Sequence, residues 1–338
     1  MDKSKKIKYV GLAIKVSIVV FSFVYIYSKV IGEMEKDEFQ NLSPLDTIAD
    51  SWILFSLAIF MVFLNWGLEA IKWQFLMSRL EKMSFLKSYK AVLSGVTVSI
   101  FMPFKMGEYV GRVLHLDSGN RIKGTVLTVY GSMAQLFVTI LFGSLALVYF
   151  LPLMYDMSAS MHLMWYYVYI VLVVILNLFL LMALLSPSFL VSVINKTPLP
   201  RKWKKYFRVL SFYKPSDLFR EVLIISVLRY LVFSFQFYFC LEIFNVHLPL
   251  FDGLVIISIT FLFLTFLSIS ALLELGFTRS LICLNLVHVF YTSSSIKSVA
   301  TDADIWMAST VLWLINLAVP AMLGALFLYG VKIFKSEK

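Results

Sequence analysis

The sequence predicts an all-α polytopic membrane protein with about six full spans and two broken, re-entrant hairpins. Hydrophobic residues make up 60% of the 338 residues, charged residues only 15%, and the mean hydropathy is +0.85. Soluble globular domains do not have this composition. The apolar residues form runs long enough to cross a bilayer, and lysine and arginine concentrate in the short loops between them. Because basic loops orient membrane proteins, the net charge of +10 does not indicate nucleic-acid binding.

The chain begins with a basic leader, residues 1–8, which precedes an apolar run at 9–27. This run is longer than the core of a typical signal peptide and lacks a small-residue cleavage site, so we expect a retained anchor helix. The acidic loop at 30–50 is then expected outside the cell, and a second span at 51–78 returns the chain to a basic cytoplasmic turn.

Residues 91–117 are apolar but too short to cross a bilayer twice, because each crossing helix needs about 20 residues. Pro103 removes a backbone donor and disfavours helix just before it, and Gly107 allows the backbone to turn. We therefore expect two half-helices that meet at a polar tip and open from the cytoplasm. Non-helical backbone at membrane depth is tolerated only inside protein or along a wet cavity, so this tip should meet something polar.

The second half of the chain is expected to repeat the first in the opposite orientation. Spans at 221–244 and 305–330 flank a second broken stretch, 251–291, which opens from the outside because lysines after the last span place the C-terminus in the cytoplasm. The result is a single integral membrane domain, 1–338, built as an inverted-topology repeat, in which transporters bind substrate where the broken segments converge. The other predicted segments are the spans 124–151 and 164–186, the cytoplasmic basic segment 187–220, and the repeat halves 51–151 and 221–330.

Ionisable side chains inside spans are costly and usually face a partner or a cavity. Glu108 and Arg112 lie four residues apart on one face of the second half-helix. They either line a cavity in which Arg112 binds an anionic phosphate, or form a self-neutralising pair. Arg229 has no acid at i±4, so it needs a partner on another helix or an anion. The remaining candidates lie at the hairpin tips: Lys105 at the first, and Glu274 and Arg279 at the second.

Other polar groups in the spans have structural interpretations. Glu69 and Lys72, three residues apart, are expected to pair and to extend towards the interface. No metal-ligand spacing, nucleotide loop or nucleophile motif is present, so we expect no cofactor and no metal site. We interpret as interhelical hydrogen-bonding groups Gln135, Asn177, His288 and Asn316.

The stretch SGVTVSIFMPFKMGEYVGR resembles the lysylphosphatidylglycerol synthase transmembrane-region family. That family's first signature is a small-residue helix followed by a proline, a basic residue, Gly-Glu and an arginine. The resemblance implies a flippase-like domain, because in the multiple peptide resistance factor such a domain moves an aminoacylated phosphatidylglycerol from the inner to the outer leaflet. We expect this chain to lack the soluble synthase domain that attaches the amino acid there. The matching residues are Pro103, Lys105, Gly107, Glu108 and Arg112.

Three functions are compatible with the sequence. The first is a lipid translocator, in which membrane-embedded arginines at two convergent hairpins hold the phosphate of an anionic or aminoacylated phospholipid, or of a polyprenyl-linked lipid. The second is an integral-membrane transferase with Glu108 or Glu274 as general base. The third is a scaffold that docks a separate synthase through the basic segment. The expected location is a bacterial-type inner (plasma) membrane, with no nucleic-acid partner, and a homo-oligomer is compatible with the sequence.

Overall fold

The computed structural model describes residues 44–100, 102, 106–155, 160–198, 200–267, 277–294 and 301–329, and every regular element in these ranges is helical. An all-α membrane architecture is thereby confirmed. The α-helices are α1 (Pro44–Asp50), α2 (Trp52–Met77), α3 (Phe85–Ile100), α4 (Met106–Val113), α5 (Arg121–Met154), α6 (Ser160–Leu185), α7 (Pro187–Lys196), α8 (Arg201–Phe207), α9 (Pro215–Ile243), α10 (Leu250–Leu267), α11 (Phe277–Ser294), α12 (Asp302–Trp313) and α13 (Val319–Tyr329).

Six helical segments in the described part of the chain are long and apolar enough to cross a membrane. Five of them correspond to predicted spans, and the predicted span at 9–27 lies outside the described residues. The sixth is α10, the first arm of the second predicted hairpin. Its 18 residues give a helix of about 27 Å. This arm is therefore long enough to cross the hydrocarbon layer by itself, unlike the short α4 of the first hairpin. The six segments are Trp52–Met77, Ser118–Met154, Met161–Leu185, Pro215–Ile243, Leu250–Leu267 and Asp302–Leu328.

The first hairpin consists of α3 and α4, which fold back against each other as the sequence predicts. Glycine permits their close approach. A Cβ atom on Gly107 would lie 2.3 Å from the carbonyl of Val98, and one on Gly111 would lie 2.5 Å from the carbonyl oxygen of Ser94. Of the break between the two helices only residue 102 is described, so Pro103 and Lys105 lie outside the described residues.

A polar clamp closes the base of the hairpin. Glu81, in the turn before α3, accepts a hydrogen bond from Lys87 Nζ at 2.6 Å and another from the backbone N–H of Asp117 at 3.1 Å. Partial burial raises the pKa of the Glu81 carboxyl, but these hydrogen bonds and the Lys87 charge outweigh burial, and the pKa is lowered from 4.5. The clamp therefore joins the segments that enter and leave the hairpin.

The helices of each predicted repeat half pack against helices of the other half. Helix α2 packs along α9, α3 of the first hairpin packs on α13 of the second half, and α10 of the second hairpin packs on α5 of the first half. The first helices of the two halves, α2 and α9, thus contact each other. One helix of each hairpin contacts the last helix of the other half. This pattern agrees with a repeat, whose inverted orientation remains a prediction.

Candidate functional site

A cavity of about 540 Å³ lies among α2, α3, α4, α5, α9, α10, α11 and the last span. Its walls differ in chemistry. Five charged side chains line it, together with aromatic and aliphatic side chains. The residues that matter below are the ionisable Glu69, Lys72, Glu108, Arg229 and Arg279, the polar Asn65, Gln135 and Asn316, and the apolar Trp66, Tyr230, Phe233, Phe261, Leu264 and Trp313.

Glu69 of α2 is the hub of the charged wall. One carboxylate oxygen accepts a hydrogen bond from Arg112 Nη1 at 2.5 Å. The other accepts from Arg229 Nη1 at 2.9 Å and lies 2.8 Å from Lys72 Nζ. Glu69 is only 4% exposed, and a buried carboxylate requires this kind of charge compensation. The single carboxylate therefore ties α2 to both α4 and α9.

The predicted pair on α4 is present, but its two members are placed differently. Arg112 Nη2 donates to Glu108 Oε2 at 2.8 Å. The Glu108 side chain is 26% exposed and lines the cavity, whereas Arg112 is 2% exposed and lies behind it. Lys72 and Arg229 complete a cluster of three cations and two carboxylates, which carries one excess positive charge.

Arg229 has the interhelical partner that its isolation on α9 requires. Besides Glu69, its Nε donates to Asn65 Oδ1 at 2.9 Å, and its guanidinium lies 5.2 Å from the ring centroid of Trp66. The side chain is 19% exposed and lines the cavity. One face of this guanidinium is thus fixed by protein while the side chain still reaches open space.

Arg279, near the start of α11, lines the same cavity. Its guanidinium lies 6.0 Å from the ring centroids of both Phe233 and Phe237, at a distance where aromatic faces stabilise a cation. The structure therefore brings Arg279 and Glu108, one from each predicted hairpin, to one cavity. The candidate Glu274 lies outside the described residues.

The expectation that Glu69 and Lys72 extend to the interface was wrong. They do pair, at 2.8 Å, but both are buried, at 4% and 2% exposed, and Lys72 Nζ also donates to Ser226 Oγ at 3.4 Å. They turn inward because partners on α4 and α9 compensate their charges. A signal was present in the sequence, since Asn65 lies one turn before Glu69 and extends the same polar face.

The predicted hydrogen-bonding groups connect helices. Gln135 Nε2 donates to the Ser226 carbonyl at 3.4 Å, and Asn177 donates to Ser144 Oγ at 3.1 Å. Gln135 Oε1 and Trp313 Nε1 are buried in the cavity wall with no hydrogen-bond partner in the described part of the chain. No group of three residues able to hold a metal ion occurs among the described residues. The arrangement can bind an anion beside an apolar surface.

A comparison with models of protein families shows to which family the chain belongs. The model of the lysylphosphatidylglycerol synthase TM region matches residues 12–273. The chain belongs to this family. Membership of the lysylphosphatidylglycerol synthase TM region family indicates a lipid-related role in the membrane. The match contains the first hairpin, Glu69 and Arg229, and ends before Arg279. The comparisons with curated proteins and with solved structures found no match.

Proposed function

We propose that this protein is a lipid translocator that moves a phospholipid or lipid-linked headgroup between the inner and outer leaflets. The observation that carries the proposal is one cavity that lies largely between helices of membrane-spanning length and is lined by both charged and apolar side chains. A lipid has the same two-part chemistry. Family membership supports this proposal, because it places the chain among membrane proteins concerned with lipids.

The charged wall suits a phosphate. Arg229 and Arg279 both line the cavity, and guanidinium groups bind phosphate oxygens through paired, charge-assisted hydrogen bonds. The excess positive charge of the cluster around Glu69 favours an anionic guest. We assign phosphate binding to Arg229 and Arg279. In this assignment Arg112 holds Glu108 and Glu69 in place from behind.

The apolar wall suits the part of the lipid next to the headgroup. Phe233, Phe261 and Leu264 also line the cavity, and contact with them would keep the first acyl carbons out of water. The volume of about 540 Å³ lies in the range of about 300–1,000 Å³ found for ligand pockets. The acyl tails beyond these carbons would remain in the bilayer.

The test is lipid movement in liposomes that contain only the purified protein. Phosphatidylcholine liposomes carry a trace of fluorescent short-chain phosphatidylglycerol, and dithionite quenches the label in the outer leaflet. We expect the wild type to make nearly all of the label accessible. Arg229→Gln and Arg279→Gln should each slow this movement at least about tenfold, because each removes a charged hydrogen-bond donor to the phosphate.

Arg220→Gln is the matched control, because Arg220 lies on the same helix as Arg229 but is exposed and contacts Glu221 at 3.1 Å. It should move lipid like the wild type. Failure of the wild type to move the label, or normal movement by both cavity variants, would refute the proposal. A lipid of new mass formed in detergent, without two leaflets, would instead favour the transferase alternative.

A further inference from the structure

The last span is interrupted beside the cavity by a π-helix, Leu314–Ala318, between α12 and α13. Pro320 provides the physical reason. It has no N–H to donate to the carbonyl four residues earlier, which is that of Asn316, and its ring crowds this carbonyl. Wide helical turns of this kind occur frequently at functional sites. The break therefore frees the backbone oxygen of Asn316 to bind another group.

Asn316 uses both its backbone and its side chain to hold neighbouring helices. Its carbonyl accepts a hydrogen bond from the indole N–H of Trp66 at 3.2 Å. Its side-chain oxygen accepts from Asn65 Nδ2 at 3.4 Å, and its side-chain nitrogen donates to Gln236 Oε1 at 2.5 Å. All four residues are buried. A single residue thus joins the last span to α2 and α9.

The two α2 residues that Asn316 holds are the ones that contact Arg229 next to Glu69. Asn65 accepts from Arg229 Nε, and the Trp66 ring lies beside the guanidinium. We propose that Asn316, which lies in the π-helical break before Pro320, is a positioning residue that aims Arg229 into the cavity, an inference that rests on the proposed function of Arg229. Asn316 acts through Asn65 and Trp66 and not through its own contact with lipid.

The same break also serves the first hairpin, through a separate set of contacts. Just after Pro320, the carbonyl of Ala321 accepts a hydrogen bond from Thr97 Oγ1 of α3 at 2.6 Å. Gly324 lies so close to α3 that a Cβ atom there would be 2.0 Å from the carbonyl oxygen of Leu93. Restoring a regular helix with Pro320→Ala should disturb both sets, whereas Asn316→Leu should disturb only the contacts towards Arg229.

The experiment reads the position of Arg229 without using lipid movement. Full-length protein in detergent is treated with phenylglyoxal, which modifies accessible arginines, and modification is measured residue by residue by mass spectrometry. In Asn316→Leu and Pro320→Ala we expect modification of Arg229 to become several-fold faster, while exposed Arg220 keeps its rate. The matched controls are Asn177→Leu, which deletes a half-buried amide between α5 and α6, and Pro152→Ala, which restores an N–H inside α5.

Lipid movement in the liposome assay supplies the second reading. Asn316→Leu should slow movement roughly tenfold, the effect expected if Asn65, no longer held by Asn316, loses its hydrogen bond to the charged Arg229. In an Arg229→Gln background the same substitution should add nothing, because Asn316 acts through Arg229. Full additivity of the two losses, or unchanged Arg229 reactivity together with unchanged movement, would overturn the inference.

A folding defect is separated from a positioning defect by a milder variant. Trp66→Phe keeps the ring beside Arg229 and deletes only the donor to the Asn316 carbonyl, so faster modification of Arg229 is again expected. If the wild type moves no lipid, the proposed function fails, while the phenylglyoxal rates still decide whether Asn316 holds Arg229.

Discussion

Arg112 and Arg229 bind opposite oxygens of the same carboxylate, yet their surroundings differ. Arg112 on α4 is 2% exposed, contacts Glu69 and Glu108, and does not line the cavity. Arg229 on α9 is 19% exposed, shares Glu69 with Lys72, and faces the cavity beside Trp66. The same carboxylate thus has one arginine that is enclosed by protein and one that reaches the cavity, and only the second is proposed to bind phosphate.

The largest effect is expected at the carboxylate that both arginines share. Glu69→Gln leaves the buried Arg112 and Lys72 and the partly exposed Arg229 around a neutral amide, and breaking a buried ion cluster in this way costs about 3–5 kcal/mol of stability. Thermal unfolding in detergent should show the loss. Glu221→Gln, at an exposed carboxylate that pairs with Arg220, should change the unfolding temperature little. Equal unfolding temperatures for the two variants would show that Glu69 is not the hub.

Substitutions of the two arginines should affect stability and lipid movement to different extents. Arg112→Gln removes the charge-assisted hydrogen bonds to Glu69 and Glu108 and should lower stability by at least about 1.5–3 kcal/mol. Arg229→Gln should lower stability less, because the Arg229 side chain is 19% exposed and its ion pair is therefore weaker, but should slow lipid movement more per folded molecule. Unfolding temperature and liposome assay are measured on the same preparations. The reverse order of the two variants would contradict the comparison.

The close packing of the first hairpin gives the next effect. Gly107→Ala places a methyl group against the backbone of Val98, and overpacking of this kind costs about 1–3 kcal/mol. Gly119→Ala is the control, since no atom lies within 4 Å of its added Cβ. We expect proteolysis to open the hairpin in the first variant and not in the second. If both resist protease equally, the hairpin is looser than described.

The smallest effect concerns the clamp at the hairpin base and depends on pH. The pKa of Glu81 is lowered on folding, so its contribution is present above 4.5, the value for the unfolded chain, and is lost as pH falls through the lower folded value. Glu81→Gln should therefore destabilise by less than about 1 kcal/mol at neutral pH and by less still in acid. A constant difference in unfolding temperature from pH 7 to pH 3 would exclude this linkage.

Local spacing was sufficient to predict part of the site. Pro103, which lies outside the described residues, predicted a break that falls between the end of α3 and the start of α4. The Glu108–Arg112 pair follows from its four-residue separation, and the need of Arg229 for a distant partner follows from its lack of a local acid. These are properties of one helix at a time. The membrane architecture is equally local, because composition and run length determine it.

The ion-pair and hydrogen-bond partners on other helices could not be predicted from the sequence. Glu69 lies 43 residues from Arg112 and 160 from Arg229, and only the packing of α2 against α9 and the hairpin brings them together. The same packing decides whether Lys72 reaches the interface or turns inward. The proposed role of Asn316 depends on its backbone carbonyl, which Pro320 leaves without a helical donor. The sequence alone does not show that Trp66 supplies the donor for this carbonyl.

The most direct test of the proposed function is whether a lipid phosphate occupies the cavity. Phosphatidylglycerol with a photoreactive group next to its phosphate is added to membranes that contain the protein, and adducts are mapped by mass spectrometry. We predict adducts on α9 and α10, near Phe233 and Leu264, that disappear in Arg229→Gln but persist in Arg220→Gln. Adducts confined to exposed positions of α6, such as Leu176 and Phe179, and unchanged in Arg229→Gln, would contradict it.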